Sequence, residues 1–176
     1  AFRSIMLRFD PPKKIIYDDI EIAKEGDSDT LAQVTQILAT VGTNDVFNYL
    51  IDQADKLGAS DIHIENQRES IRVRMRVDGA LHTVAELSRD RYRVIMATLA
   101  SHANISTAAT EPQSGHMQQV IHRDGASHLL NLRVEAVPTI YGMDLVLRLF
   151  NFDTSMLNLD LLSISKEERE QIDEII

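Results

Sequence analysis

The sequence predicts an α+β domain, a mostly antiparallel sheet with flanking helices. Three observations carry this. First, ESIRVRMRVDG alternates without a break: Ile71, Val73, Met75 and Val77 point one way, and Arg72, Arg74 and Arg76 the other. That is the period of a half-buried strand. Second, Asp78-Gly79 and Asp124-Gly125 each stand between strand-like runs and mark tight hairpins. Third, several stretches outside the hairpins carry apolar residues at three- and four-residue spacing, as amphipathic helices do.

The elements follow in chain order. AFRSIMLRFD alternates loosely and ends at Pro11-Pro12, which stops regular structure. IIYDDIEIAKEGDSD holds six carboxylates between Asp18 and Asp29 against Lys24. Such a like-charge run predicts a solvated linker, with a strand over IIYDDIEI as the alternative. TLAQVTQILATV is a short helix with Leu31, Val34, Leu38 and Val41 on one face. Ser28 or Asp29 can cap its start, and Gly42 ends it. NDVFNYLIDQADKLG is a second helix, striped by Val46, Phe47, Leu50, Ile51, Ala54 and Leu57. Thr43 or Asn44 is the expected cap, and Gly58 the left-handed stop.

GASDIHIE opens the first strand, with Ile62 and Ile64 inward and Ser60 or Asp61 accepting backbone N–H bonds at the turn. ALHTVAEL returns from Asp78-Gly79, and Ser88 opens a helix over DRYRVIMATLASHAN whose buried side holds Tyr92, Ile95, Met96, Leu99 and Ala103. ISTAATEPQSGH is expected as a loop. MQQVIH and SHLLNLRVEAV form a second hairpin, PTIYG turns, and MDLVLRLFN is the last strand. At the end, Ser165 and Glu168 make a capping box ahead of a helix. The domain proper is expected over 42–152. Residues 1–41 are read as a leader or linker, and 153–176 as a connection into a following helix.

The totals narrow the function. With 176 residues and 44% apolar content, the chain suits one domain with an aliphatic core. A net charge of -9 argues against a nucleic-acid partner, because phosphate contacts supply most of that affinity. Cysteine is absent, so neither a disulfide framework nor a thiolate metal site is available. No apolar run approaches the roughly 18 residues of a membrane span.

Motifs for catalysis are missing from the sequence. It contains no G-x-S-x-G and no G-x-G-x-x-G, and none of its seven glycines precedes Lys and then Ser or Thr. A phosphate-binding P-loop is therefore not within these residues. His63 and Glu65 share a strand face, but zinc wants three or four ligands, so no metal is expected. The arginines are the better candidates. Arg72, Arg74 and Arg76 make one polar strand face, and Arg133 and Arg148 interrupt the apolar runs NLRVEAV and LVLRLFN. Each is either a solvated sheet-face cation or a guanidinium set to meet phosphate or carboxylate in a bidentate fork.

Taken in order and spacing, GASDIHIE, IRVRMRVDGAL, EPQSGH, LRVEAVPTIYGMDLVLRLFN and LDLLSISKEE resemble the N-terminal region of the type II secretion and type IV pilus assembly ATPases. The resemblance spans about Asn44 to Ile176. It implies a PAS-like fold for this domain, with a RecA-like ATPase domain and its Walker A loop following. It also implies a cytoplasmic ring hexamer peripheral to the inner membrane, whose partners are its own ATPase domain, neighbouring subunits and an inner-membrane platform protein. ATP and Mg would belong to the parent protein, with no cofactor in this piece.

By the same resemblance, Arg133 and Arg148 match arginines that approach ATP phosphates when the domain closes. His116, Arg74 and Arg76 are weaker candidates. Two positions depart from the family's pattern. PQSGH stands where P-Q-D-G-R is usual, placing His116 at an arginine position, and Met143 follows Gly142 where Glu is common. A neutral His is a poorer phosphate partner than Arg near pH 7. Two alternative functions are a PAS-like small-molecule sensor and a protein-docking module.

Overall fold

The structure is a computed structural model that describes residues 18–20, 28–123 and 126–150. These residues form helices α1 (Ser28–Thr40), α2 (Val46–Lys56) and α3 (Arg89–His102). Their strands are β1 (Asp61–Asn66), β2 (Ile71–Val77), β3 (Ala80–Leu87), β4 (Gln113–Arg123), β5 (Ala126–Thr139) and β6 (Gly142–Phe150). The strands make one antiparallel sheet in the order β3-β2-β1-β6-β5-β4. The expected α+β class with an antiparallel sheet is what forms. The start of the chain, the Asp124-Gly125 turn and the Ser165 capping box lie outside the described residues.

One face of the sheet is dry. Ile62, Ile64, Ile71, Val73, Met75, Leu132, Val134, Leu145 and Leu147 are buried on it. They join Phe47, Leu50 and Ile51 of α2, and Ile95 and Leu99 of α3, in a single core. The alternate residues of β1, β2, β5 and β6 are half-buried or exposed along most of their length. That is the signature of an antiparallel sheet with helices on one side and the other side open.

The turns behave as their residues dictate. Asp78 and Gly79 have φ of 49° and 80°, the pair of positive values that a type I′ hairpin needs. Gly58 closes α2 at φ 65°. Ser88 caps α3, its side chain accepting from the Arg91 N–H. At α2 the expected caps Thr43 and Asn44 do not serve. Asp45 holds the N-cap position in a helical conformation, and its side chain makes no capping bond.

Two differences from the expected organisation have clear causes. The segment N-terminal to residue 42 contributes to the core: Ile20, Val34, Leu38 and Val41 are buried in it. Arg91 donates to the carbonyls of Ala39 and Val41, both at 2.7 Å, which satisfies the open end of α1. At residues 18–20 the acidic run docks rather than floats. The Ile20 N–H reaches Gln53 Oε1 at 2.6 Å, and Tyr49 donates to the Asp18 carbonyl at 2.6 Å. Burial, and then the charges of Asp19 and Asp18, push the Tyr49 hydroxyl up to about 12.

The second difference is the start of β4. The sequence suggests a loop through His116, but the strand begins at Gln113. Gly115, which reads as a loop residue, lies buried in it. A Cβ there would stand 2.1 Å from the Ala103 carbonyl oxygen at the end of α3. The glycine lets helix end and strand touch, so His116 is a strand residue with a fixed side.

Candidate functional site

The open face carries the site. Cross-strand register places Arg76 of β2 opposite Asp61 of β1, Asp61 opposite Arg148 of β6, and Arg148 opposite Arg133 of β5. Arg133 in turn faces His116 of β4. Five strands thus contribute one row: Arg76, Asp61, Arg148, Arg133, His116. Paired positions on antiparallel strands lie about 5 Å apart, so the row is a continuous band. It holds three arginines against one aspartate in a chain whose net charge is -9.

Asp61 is the hinge of the band. Its side chain is only 6% exposed. Oδ1 accepts from Arg148 Nε at 2.9 Å, and Oδ2 lies 3.3 Å from Arg76 Nε and accepts from Ser60 Oγ at 2.8 Å. Burial alone would raise its pKa. The hydrogen bonds from Arg148 and Ser60, with the charges of Arg148 and Arg76, outweigh burial and hold the carboxyl below its ordinary value. Arg148 is shifted up by the same bond and the same charge. This corrects the expectation at residues 60 and 61. Asp61 holds arginines rather than backbone N–H groups, and Ser60 donates its hydroxyl to Asp61.

Arg133 and Arg148 lie directly opposite each other, an arrangement that costs sheet stability because like charges face across strands. Arg133 is offset by Glu135, its Nη2 at 3.1 Å from Glu135 Oε1. Both arginines keep about half of their side-chain surface in solvent. Arg148 is bonded to Asp61 through Nε and also feels the charge of Glu135; among the described residues its two terminal nitrogens make no hydrogen bond. Of the weaker candidates, Arg76 and His116 join the row. Arg74 lies one row along, bonded to Glu65 through both Nε (3.0 Å) and Nη2.

His63 sits between Arg74 of β2 and Val146 of β6. Burial first, then the charge of Arg74, lower its pKa below 6.5, against opposing pulls from Asp61 and Glu65. The unfolded imidazole therefore takes a proton first as pH falls. Its contribution to stability is complete above pH 6.5 and is lost below it, toward the folded pKa. Urea midpoints at about pH 7.5 and about pH 5.5 should show this loss, and His63→Gln should shrink it. An equal loss in the variant would assign the effect elsewhere.

Among the described residues, no group of three or more His, Asp or Glu gathers to hold a metal ion. No helix among them is long and apolar enough to cross a membrane. The guanidinium row suits an anion with several oxygens, such as a phosphate chain.

The described residues thus form a helix-backed antiparallel sheet with a band of arginines on its open face. The chain belongs to the family described as Type II/IV secretion system protein, which matches residues 40–176. It is similar to the type II secretion system protein E of Pectobacterium carotovorum, 30% identical over 132 residues that cover 74% of this chain and 26% of that protein. It is also similar to the type IV pilus assembly ATPase PilB of Myxococcus xanthus, 28% identical over 148 residues, 84% of this chain and 25% of that one. The chain thus spans about a quarter of the length of these relatives. A solved structure of the pilus retraction motor PilT with bound ADP aligns to 59% of this chain and 29% of its own, at 15% identity and a TM-score of 0.33.

Proposed function

We propose that this chain is the non-catalytic N-terminal domain of a hexameric secretion or pilus-assembly motor ATPase. In that reading residues 42–152, with α1 packed on them, form the domain body, and 153–176 lead into a RecA-like ATPase domain. Arg133 and Arg148 turn toward ATP bound on that ATPase domain, with His116 and Arg76 at the ends of the same band. Arg74 is committed to Glu65.

One observation carries the reading. Two arginines are held side by side on an open sheet face, and the terminal nitrogens of Arg148 make no hydrogen bond among the described residues. A stability cost of this kind is expected where a protein meets a partner. Guanidinium groups that arrive on domain closure stabilise charge on a transferring phosphoryl group without taking part in covalent chemistry. ATP and Mg would supply that chemistry when bound to the parent protein. This chain's residues would contribute charge and orientation. The ring's other subunits and an inner-membrane platform would be its partners, on the cytoplasmic side.

The simplest test uses the 176-residue chain itself. Purified alone, it should release no phosphate from ATP, while the full-length parent should turn over. Steady turnover by the pure chain, surviving a second purification, would remove the non-catalytic assignment.

A further inference from the structure

Asp61 has no part in the resemblance-based set of phosphate-facing residues, yet it contacts two members of the band. Its strand stands between the two strands that carry Arg76 and Arg148. Ser60 fastens both neighbours through the backbone: its N–H donates to the Arg76 carbonyl, and its carbonyl accepts from the Leu149 N–H, each at 2.9 Å. The carboxylate at residue 61 is thus fixed in height and side relative to both arginines before any side chain moves.

The atoms used are informative. Asp61 Oδ1 takes Arg148 by Nε, at 2.9 Å. A bond at Nε fixes the guanidinium plane and leaves the end-on edge, Nη1 and Nη2, as a parallel pair of donors. That pair is one of the two guanidinium edges that can make a bidentate fork with a phosphate or carboxylate, and the one left open here. Oδ2 is meanwhile occupied by Ser60 Oγ at 2.8 Å and approached by Arg76 Nε at 3.3 Å. The buried carboxylate therefore stays compensated even when Arg148 shares its charge with an incoming anion.

We infer that Asp61 is a positioning residue: it anchors Arg148 by Nε so that the terminal edge of the guanidinium is presented, pre-oriented, to the phosphates. This rests on the reading of Arg148 as a phosphate-facing cation. A long side chain pinned at one nitrogen loses its rotational freedom before the anion arrives, so the cost of ordering is not charged to the transition state.

The test is a double-mutant cycle on kcat and KM for ATP in the full-length protein, with Asp61→Asn, Arg148→Ala and the two combined. Asp61→Asn should lower kcat by about tenfold to 10²-fold, the scale of a misplaced catalytic geometry, with KM within about twofold of wild type. In the Arg148→Ala background the same change should have almost no further effect, because the group it positions is gone. Arg148→Lys, which keeps the charge but has no Nε donor, should resemble Arg148→Ala more than wild type. If Asp61→Asn does not fold, Ser60→Ala takes its place, with a several-fold loss expected that also vanishes without Arg148.

The outcomes separate. Wild-type kcat in Asp61→Asn alongside a slow Arg148→Ala would overturn the positioning role and leave the role of Arg148 standing. Equal losses from Asp61→Asn with and without Arg148 would make Asp61 a purely structural residue. Wild-type turnover in Arg148→Ala would overturn both readings.

Discussion

Full-length protein carrying Arg148→Ala or Arg133→Ala is expected to hydrolyse ATP on the order of 10³-fold more slowly than wild type, the scale seen when a transition-state arginine is removed. The loss should fall on kcat and kcat/KM together, because the interaction is made as charge develops and not in the ground state. Folding should survive both changes. Arg148→Ala leaves Asp61 with Arg76 and the Ser60 hydroxyl, so the buried carboxylate keeps a counter-charge. Arg133→Ala frees only an exposed Glu135 and relieves the opposition of Arg133 to Arg148 across the strands. Thermal midpoints near wild type, measured alongside turnover, separate a lost phosphate contact from a lost fold.

Gly115→Ala is expected to be the most damaging small substitution in the domain. The new methyl would stand 2.1 Å from the Ala103 carbonyl oxygen, a backbone atom that cannot rotate away. Relief requires the end of α3 and β4 to separate, which opens the core at Ala103, Ile105 and Met117. Overpacking of this kind costs about 3 kcal/mol or more. For a chain of this size that lowers the thermal midpoint by about 10 °C. Ser114→Ala, one residue earlier and exposed, should change stability by less than about 0.5 kcal/mol. A Gly115→Ala protein with the wild-type midpoint would show that the contact between helix end and strand is not tight. The same substitution bears on the site, because β4 carries His116 to the edge of the arginine band.

Much of this site is legible in the sequence. Strand alternation alone places Arg72, Arg74 and Arg76 on one face and Arg133 and Arg148 opposite the apolar side of their own strands. The register is legible only in part. The Asp124-Gly125 signal marks the hairpin between β4 and β5, but the sequence predicts a loop at His116 and only a turn over PTIYG. The structure supplies the facing of His116 with Arg133 and of Arg133 with Arg148.

Asp61 was hidden for the opposite reason. Its partner Arg148 is 87 residues away, and β1 meets β6 through no turn at all. A serine and an aspartate after a helix-stopping glycine fit turn chemistry equally well, and only the long-range pairing of β1 makes that reading fail. The one local hint was parity: inward Ile62 and Ile64 put Asp61, His63 and Glu65 on the arginine face. The docking of residues 18–20 and of α1 was obscured similarly. A run of carboxylates reads as solvated unless the Gln53 and Lys56 side chains that receive Ile20 and Asp19 are known to be adjacent. At β4, Pro112 and Gly115 are loop-forming residues by propensity, and the contact with Ala103 overrides that preference.

The most direct test of the proposed role is single-turnover cleavage of bound ATP by the full-length protein, wild type against the Arg133→Ala, Arg148→Ala double variant. Single-turnover conditions isolate the chemical step from binding and product release. The expected result is nucleotide affinity within several-fold of wild type and a cleavage rate lower on the order of 10³-fold or more. Cleavage at the wild-type rate by a folded double variant would contradict the assignment of the arginine band to ATP.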